Sequence, residues 1–164
     1  MFRKYLPELV YGSVDGLVTT FAIVTGAVGA GLGPGVIVVL GFANVLADAF
    51  SMGSSNYLSV QSETDADREK PPIATASATF GSFVAVGVVP LLPFVLALLD
   101  TGFAPAAIWW SVGLTMLAFL FVGYTQGRIS GQPPVPSALR ALLVGFLAAA
   151  ISFGVGHGLS GIVE

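Results

Sequence analysis

Five long apolar stretches, separated by short breaks rich in glycine, proline and charge, organise this chain. A helix needs about 20 mostly apolar residues to cross the hydrocarbon of a bilayer. On that measure the stretches fall at about residues 8–30, 35–61, 72–99, 104–127 and 137–161. The breaks between them are chemically plain: Gly31-Leu32-Gly33-Pro34-Gly35, the charged run from Ser62 to Pro72, Asp100-Thr101-Gly102, and Gly131-Gln132-Pro133-Pro134-Val135-Pro136. Glycine admits turn conformations and proline lacks an amide proton, so both punctuate helices. The pattern predicts an all-α membrane protein with five transmembrane helices. It forms a single transmembrane domain over residues 1–164, with residues 62–71 as a short charged loop.

Composition adds a class and an orientation. Of the 164 residues 55% are hydrophobic and 9% charged, and mean hydropathy is +0.89; a soluble domain carries about 25% charged residues. All six basic residues (Arg3, Lys4, Arg68, Lys70, Arg128 and Arg140) fall on one side of a five-span arrangement. Loops rich in Lys and Arg stay in the cytoplasm, so the N-terminus is expected there and the C-terminus outside. Trp109 and Trp110 then belong near the outer interface. Cysteine is absent, which removes disulfides and thiolate metal sites. No basic patch supports nucleic-acid binding. A cleaved leader is not expected, because the first apolar segment carries Asp15 and runs past leader length.

The candidate chemistry lies in the first two helices. An aspartate near the middle of a membrane helix costs roughly 2.5–3.5 kcal/mol on insertion scales. Helix 2 nevertheless carries Asn44, Asp48 and Met52 at i, i+4 and i+8 along one face, with Ser51 and Ser55 beside them. Helix 1 carries Glu8 and Asp15, seven apart and about 20° off a common face, with Thr19 one turn on. A short link should pack the two helices antiparallel. The rise per residue then sets Asp15 and Met52 at similar depth, Asp48 one turn further out and Glu8 near the cytoplasmic mouth. Carboxylates with a thioether make a mixed site for a divalent cation, and the sulfur shifts preference toward transition metals. Glu8 has a second reading, as a carboxylate complementing the positive end of its helix.

Other features carry less. Pro90 and Pro93 interrupt helix 3 and free backbone carbonyls, either as a packing kink or to shape an outer vestibule. Gly12 with Gly16, and Gly154 with Gly158, have the spacing of close helix contacts. Five helices make a small bundle for enclosing a polar path, so a homodimer with the path near its interface is expected. His157 stands alone and is read as a packing residue. No nucleophile sits beside a base, so the chain is not expected to be an enzyme.

The residues VYGSVDGLVTTFAIVTGA in helix 1, ANVLADAFSMGSSNYLSVQSE in helix 2 and TFGSFVAVGVVPLLPF in helix 3 resemble the vacuolar iron transporter family. That family includes plant nodulin-like members and bacterial homologues. The resemblance covers nearly the whole chain. It implies a dimer of five-helix protomers that exports Fe²⁺, and often Mn²⁺, from the cytosol in exchange for protons, with no permanently bound cofactor. The family's helix 1 aspartate matches Asp15, its helix 2 methionine matches Met52, and an acidic position one heptad before the aspartate matches Glu8. Where a member has glutamate two turns before the methionine this chain has Asn44, and it carries Asp48 one turn before it instead. The same carboxylates, Asp15, Asp48 and Glu8, are expected to carry the coupling protons, which metal would expel.

The connection SETDADREKPP is too short for the cytoplasmic metal-gathering domain of eukaryotic members. Glu63, Asp65, Asp67 and Glu69 remain there as a weak cation antenna, and Asp65-x-Asp67 lacks the glycine and terminal glutamate of an EF-hand. The shortened form looks bacterial, which points to a bacterial or archaeal cell membrane. Two rival expectations are a membrane scaffold that keeps the fold without transport, and a carrier of another small cation.

Overall fold

The computed structural model describes residues 2–64 and 69–163, and these are helical, without strands. A 3-10 turn at Phe2–Tyr5 leads into α1 (Leu6–Gly29), followed by α2 (Pro34–Gln61). The third span is broken. It runs as α3 (Pro72–Gly87), a 3-10 turn at Val89–Leu91, and α4 (Leu92–Leu99). A further 3-10 turn at Thr101–Phe103 precedes α5 (Ala104–Ser130), and α6 (Pro134–Val163) ends the chain. Five helical stretches are long and apolar enough to cross a membrane: Arg3–Gly29, Pro34–Gln61, Pro72–Leu99, Thr101–Ser130 and Pro134–Ile162.

The helix ends follow from the residues that punctuate them. Pro34, Pro72 and Pro134 open their helices, where a missing amide proton costs nothing. Gly31, at φ +74°, closes α1. Leu32 N–H donates to the Ala27 carbonyl at 2.9 Å and Gly31 N–H to Val28 at 3.0 Å, which satisfies the carbonyls at the end of α1. Gly131, at φ +71°, ends α5 in the same left-handed conformation.

Close approach between helices depends on small residues. α1 is central: it packs along α3 and α6, α3 carries α2, and α5 packs on α6. The expectation that α1 and α2 lie side by side needs adjustment. They touch, but α3 lies against both and makes the larger contact with each. The reason is local. A Cβ on Gly16 would stand 2.7 Å from the Phe83 carbonyl oxygen, and one on Gly53 only 3.3 Å from the Ala76 carbonyl oxygen. Gly12 likewise lies against Ser82 and Thr79. On the α6 side the packed glycine is Gly156, against the Gly26 carbonyl. Gly154 and Gly158 meet nothing within 4 Å in the protomer.

The main buried cluster joins Val24, Val45, Ala49, Phe83, Leu91 and Phe94, and so ties the first three spans together. A second cluster, Leu17, Phe119 and Ala141, ties α1 to α5 and α6. The proline break is packed: Pro90 and Leu91 are buried, and the buried Ser111 hydroxyl of α5 donates to the Pro90 carbonyl at 2.6 Å. A carbonyl at the break thus finds its donor in protein, as a membrane interior requires.

Two outcomes follow for thermal unfolding of the purified protein in detergent. Gly16→Val forces a side chain into the α3 backbone and should cost at least about 1–3 kcal/mol, whereas Gly154→Ala, which meets open space, should leave the midpoint unchanged or slightly raised. Ser111→Ala leaves a buried carbonyl without its donor and should cost about 1–3 kcal/mol.

Candidate functional site

The open side of α2 is built in rows four residues apart. Ile37, Gly41, Val45, Ala49 and Gly53 are buried against the bundle. Asn44, Asp48, Met52 and Asn56 form the next row and are half-buried. Ala43, Ala47, Ser51, Ser55 and Ser59 form the row beyond, and all are exposed. The polar residues singled out in the sequence therefore line the border between the packed face and an uncovered face of small residues.

Asp15, half-buried on α1, and Asp48 on α2 are close enough for their charges to act on one another. Neither has an ion-pair or hydrogen-bond partner for its carboxylate among the described residues. The Thr19 hydroxyl, one turn beyond Asp15, donates at 2.9 Å to the Asp15 backbone carbonyl and not to its side chain. Asp15 also lines an open groove of about 710 Å³ between α1, α5 and α6, with Tyr11, Gln126, Ser137 and Arg140. At about 30 Å³ per water this groove is large enough to hydrate the carboxylate.

The other expected ligands are placed differently. Asn44 has a buried side-chain nitrogen without a partner, an amide with donor capacity to spare. Met52 packs against the main core cluster. Glu8 is 9% exposed and pairs through Oε1 with Lys70 Nζ at 2.8 Å, while its buried Oε2 has no partner among the described residues. Among the described residues, no three Asp, Glu, His or Cys side chains gather closely enough to hold a metal ion. Of the antenna residues, Asp65 and Asp67 lie outside the described residues, and Glu69 is exposed. His157 is exposed and stacks on Phe153, with ring centroids 6.2 Å apart.

Sequence reasoning missed the part played by α3. The Asn56 amide donates to the Thr79 hydroxyl at 2.8 Å, linking the polar row of α2 to α3. Ser82 donates to the Thr79 carbonyl at 3.1 Å and reaches the Glu8 backbone carbonyl at 3.4 Å. The run TASATFGS, spaced to put hydroxyls on one face, carried that signal. Lys70 was counted only for membrane orientation.

The model of the VIT family matches residues 6–71 and 64–157. This chain belongs to the VIT family. The two matched ranges overlap at residues 64–71, in the short connection between α2 and α3. Similar proteins include a vacuolar iron transporter of Centaurea cyanus, 26% identical over 220 aligned positions covering 95% of this chain and 88% of the relative. Vacuolar iron transporter 1 of Oryza sativa subsp. japonica is 27% identical over 212 positions, covering 90% and 82%. A vacuolar iron transporter of Plasmodium falciparum is 43% identical over 63 residues, covering 38% of this chain and 23% of the relative. The 220 aligned positions exceed the length of this VIT-family chain, so the Centaurea protein carries residues that have no counterpart here.

The pairing of Asp15 with Asp48 makes a direct prediction. In metal-free detergent, Asp48→Asn removes the like-charge contact and should raise the thermal midpoint by a few degrees. A midpoint that falls would mean that the Asp48 carboxylate is held by a favourable partner instead.

Proposed function

We propose that this chain is a divalent transition-metal carrier, taking Fe²⁺ or Mn²⁺ out of the cytosol in exchange for protons, and that it works as a homodimer. The observation that carries the reading is that Asp15 and Asp48, half-buried in two membrane-spanning helices, have no ion-pair or hydrogen-bond partner for their carboxylates among the described residues. Two carboxylates in such a place need neutralisation, and a divalent cation or two protons each supply it. The two neutralised states are the two ends of an exchange cycle. The names of the relatives, vacuolar iron transporters, support metal as the cargo. Met52, one turn along from Asp48, adds a soft sulfur that favours Fe²⁺ or Mn²⁺ over Mg²⁺. Asn44 offers an amide oxygen, and Glu8 receives the ion at the cytoplasmic mouth.

The homodimer is favoured by the uncovered row of α2. A lipid-facing helix has little use for Ser51 and Ser55, whereas two helices in contact do, because small side chains let backbones approach and hydroxyls bond across. Apposing two such rows would bring two copies of the Asn44–Asp48–Met52 row to one seam. The partner would then complete a ligand set that one chain does not gather alone. Orientation follows the basic residues, with the N-terminus cytoplasmic and the C-terminus outside. The α2–α3 connection, with Glu63, Asp65, Asp67 and Glu69, serves as a weak antenna in place of a metal-gathering domain. Its shortness favours a bacterial or archaeal cell membrane as the location. The carrier is not an enzyme, and its cargo is its only metal.

Transport by the purified protein in liposomes tests this. Fe²⁺ or Mn²⁺ should move faster when a proton gradient opposes it. Asp15→Asn, Asp48→Asn and Met52→Ala should each lower the initial rate by about tenfold or more, tenfold corresponding to ~1.4 kcal/mol. Flux indifferent to the gradient would remove the proton half of the proposal. Wild-type flux in the aspartate variants would remove the site. Protein that neither moves metal nor is stabilised by it would favour the scaffold.

A further inference from the structure

Glu8, in the first turn of α1, is a buried carboxylate, and the structure supplies it with a cation from within the chain. Lys70 stands just before α3, and its Nζ lies 2.8 Å from Glu8 Oε1 and 5.8 Å from the centre of the Tyr5 ring. The lysine side chain is 20% exposed and the glutamate 10%. One carboxylate oxygen is thus paired with the ammonium, while the other, Oε2, is buried with no donor among the described residues. An unsatisfied buried acceptor is costly, more so when it is charged. A structural ion pair would be expected to use both oxygens or to leave the second one in water. Here the second oxygen is shielded from solvent, with no partner among the described residues.

We propose that Lys70 is a resident stand-in for the transported cation, holding Glu8 closed to metal until the cytosolic metal concentration is high enough to displace it. This rests on the carrier reading and assigns to it a threshold. A divalent ion binding Glu8 through both oxygens satisfies the orphaned Oε2 and replaces a single positive charge by a double one. The freed ammonium keeps a place to go: the Tyr5 ring face, which attracts a cation, and the solvent that already reaches the side chain. The exchange breaks one ion pair and forms another, with no proton or electron transferred. Lys70 therefore competes with metal for the first carboxylate on the path and raises the concentration at which transport begins. For an exporter, that spares cytosolic metal when it is scarce.

The test measures Mn²⁺ transport by the full chain in liposomes as a function of Mn²⁺ concentration, together with equilibrium Mn²⁺ binding in detergent. Removing the competing charge in K70Q should lower KM by about twofold to fivefold, the range an ion pair of this exposure supplies, with kcat little changed. K70R keeps the cation and should keep most of the threshold. E8Q should raise KM, and adding K70Q to E8Q should change nothing further. Equilibrium binding should tighten in K70Q by the same factor as KM falls. A KM in K70Q equal to or above that of the wild type overturns the proposal, because Lys70 would then be inert or would be positioning Glu8 for metal. An equal fall in the E8Q background also overturns it, since Lys70 would then act through bulk charge. These outcomes leave the carrier reading intact if the wild type moves Mn²⁺. A wild-type chain that neither moves nor binds Mn²⁺ sinks both.

Discussion

Asp15 on α1 and Asp48 on α2 lie near enough for their charges to repel, and among the described residues no positive charge pairs with either. In water such a contact would cost little, because solvent screens it. Within a bundle spanning a bilayer the same contact is expensive, and a chain of 164 residues with nine acidic groups has kept two of them there. A permanent structural role would have supplied a lysine or an arginine within ion-pair distance. Leaving the pair unbalanced makes sense where the balancing charge comes and goes, and this is the physical basis of the proposed exchange of metal for protons.

The rest of the fold holds that pair in place. α3 is the spacer: its backbone is clasped by Gly12 and Gly16 on one side and approached by Gly53 on the other, so α1 and α2 are located relative to each other through a third helix. The hydroxyls of Thr79 and Ser82 extend the polar seam across it, toward Asn56 and the Glu8 backbone. The break at Pro90 is fixed by Ser111, so the outer half of the third span is anchored to α5. The least buried spans are α2 and α6, with 22% and 17% of their apolar windows covered against 44% for α1 and for the third span. The row that carries the candidate ligands therefore borders a face of α2 that the protomer leaves uncovered, and the proposed dimer would close it.

Much of this was legible in the sequence, for definite reasons. The five spans stand out because long apolar runs are bounded by glycine and proline, whose backbone chemistry ends or starts helices at Gly31, Pro34, Pro72, Gly131 and Pro134. The rise per residue sets the depth of Asp15 near that of Met52, with Asp48 one turn further out, once the connecting turn is known. Rotation about the axis is a different matter. It is decided by which glycines meet which backbone, and two glycine pairs with equal spacing behaved differently: Gly12 and Gly16 are packed, while Gly154 and Gly158 are open. Hence the placing of α3 between α1 and α2 was missed. The pairing of Lys70 with Glu8 was missed for another reason, since it joins residues 62 positions apart through a loop that has no periodic pattern.

The central claim is that a divalent ion belongs between Asp15 and Asp48. Crystals of the purified protein soaked in Mn²⁺ and measured for anomalous scattering test it most directly. The account predicts an anomalous peak within bonding distance of both carboxylates, lost in Asp15→Asn. Well-ordered density for both side chains with no peak beside them, at Mn²⁺ concentrations that saturate transport, would contradict it.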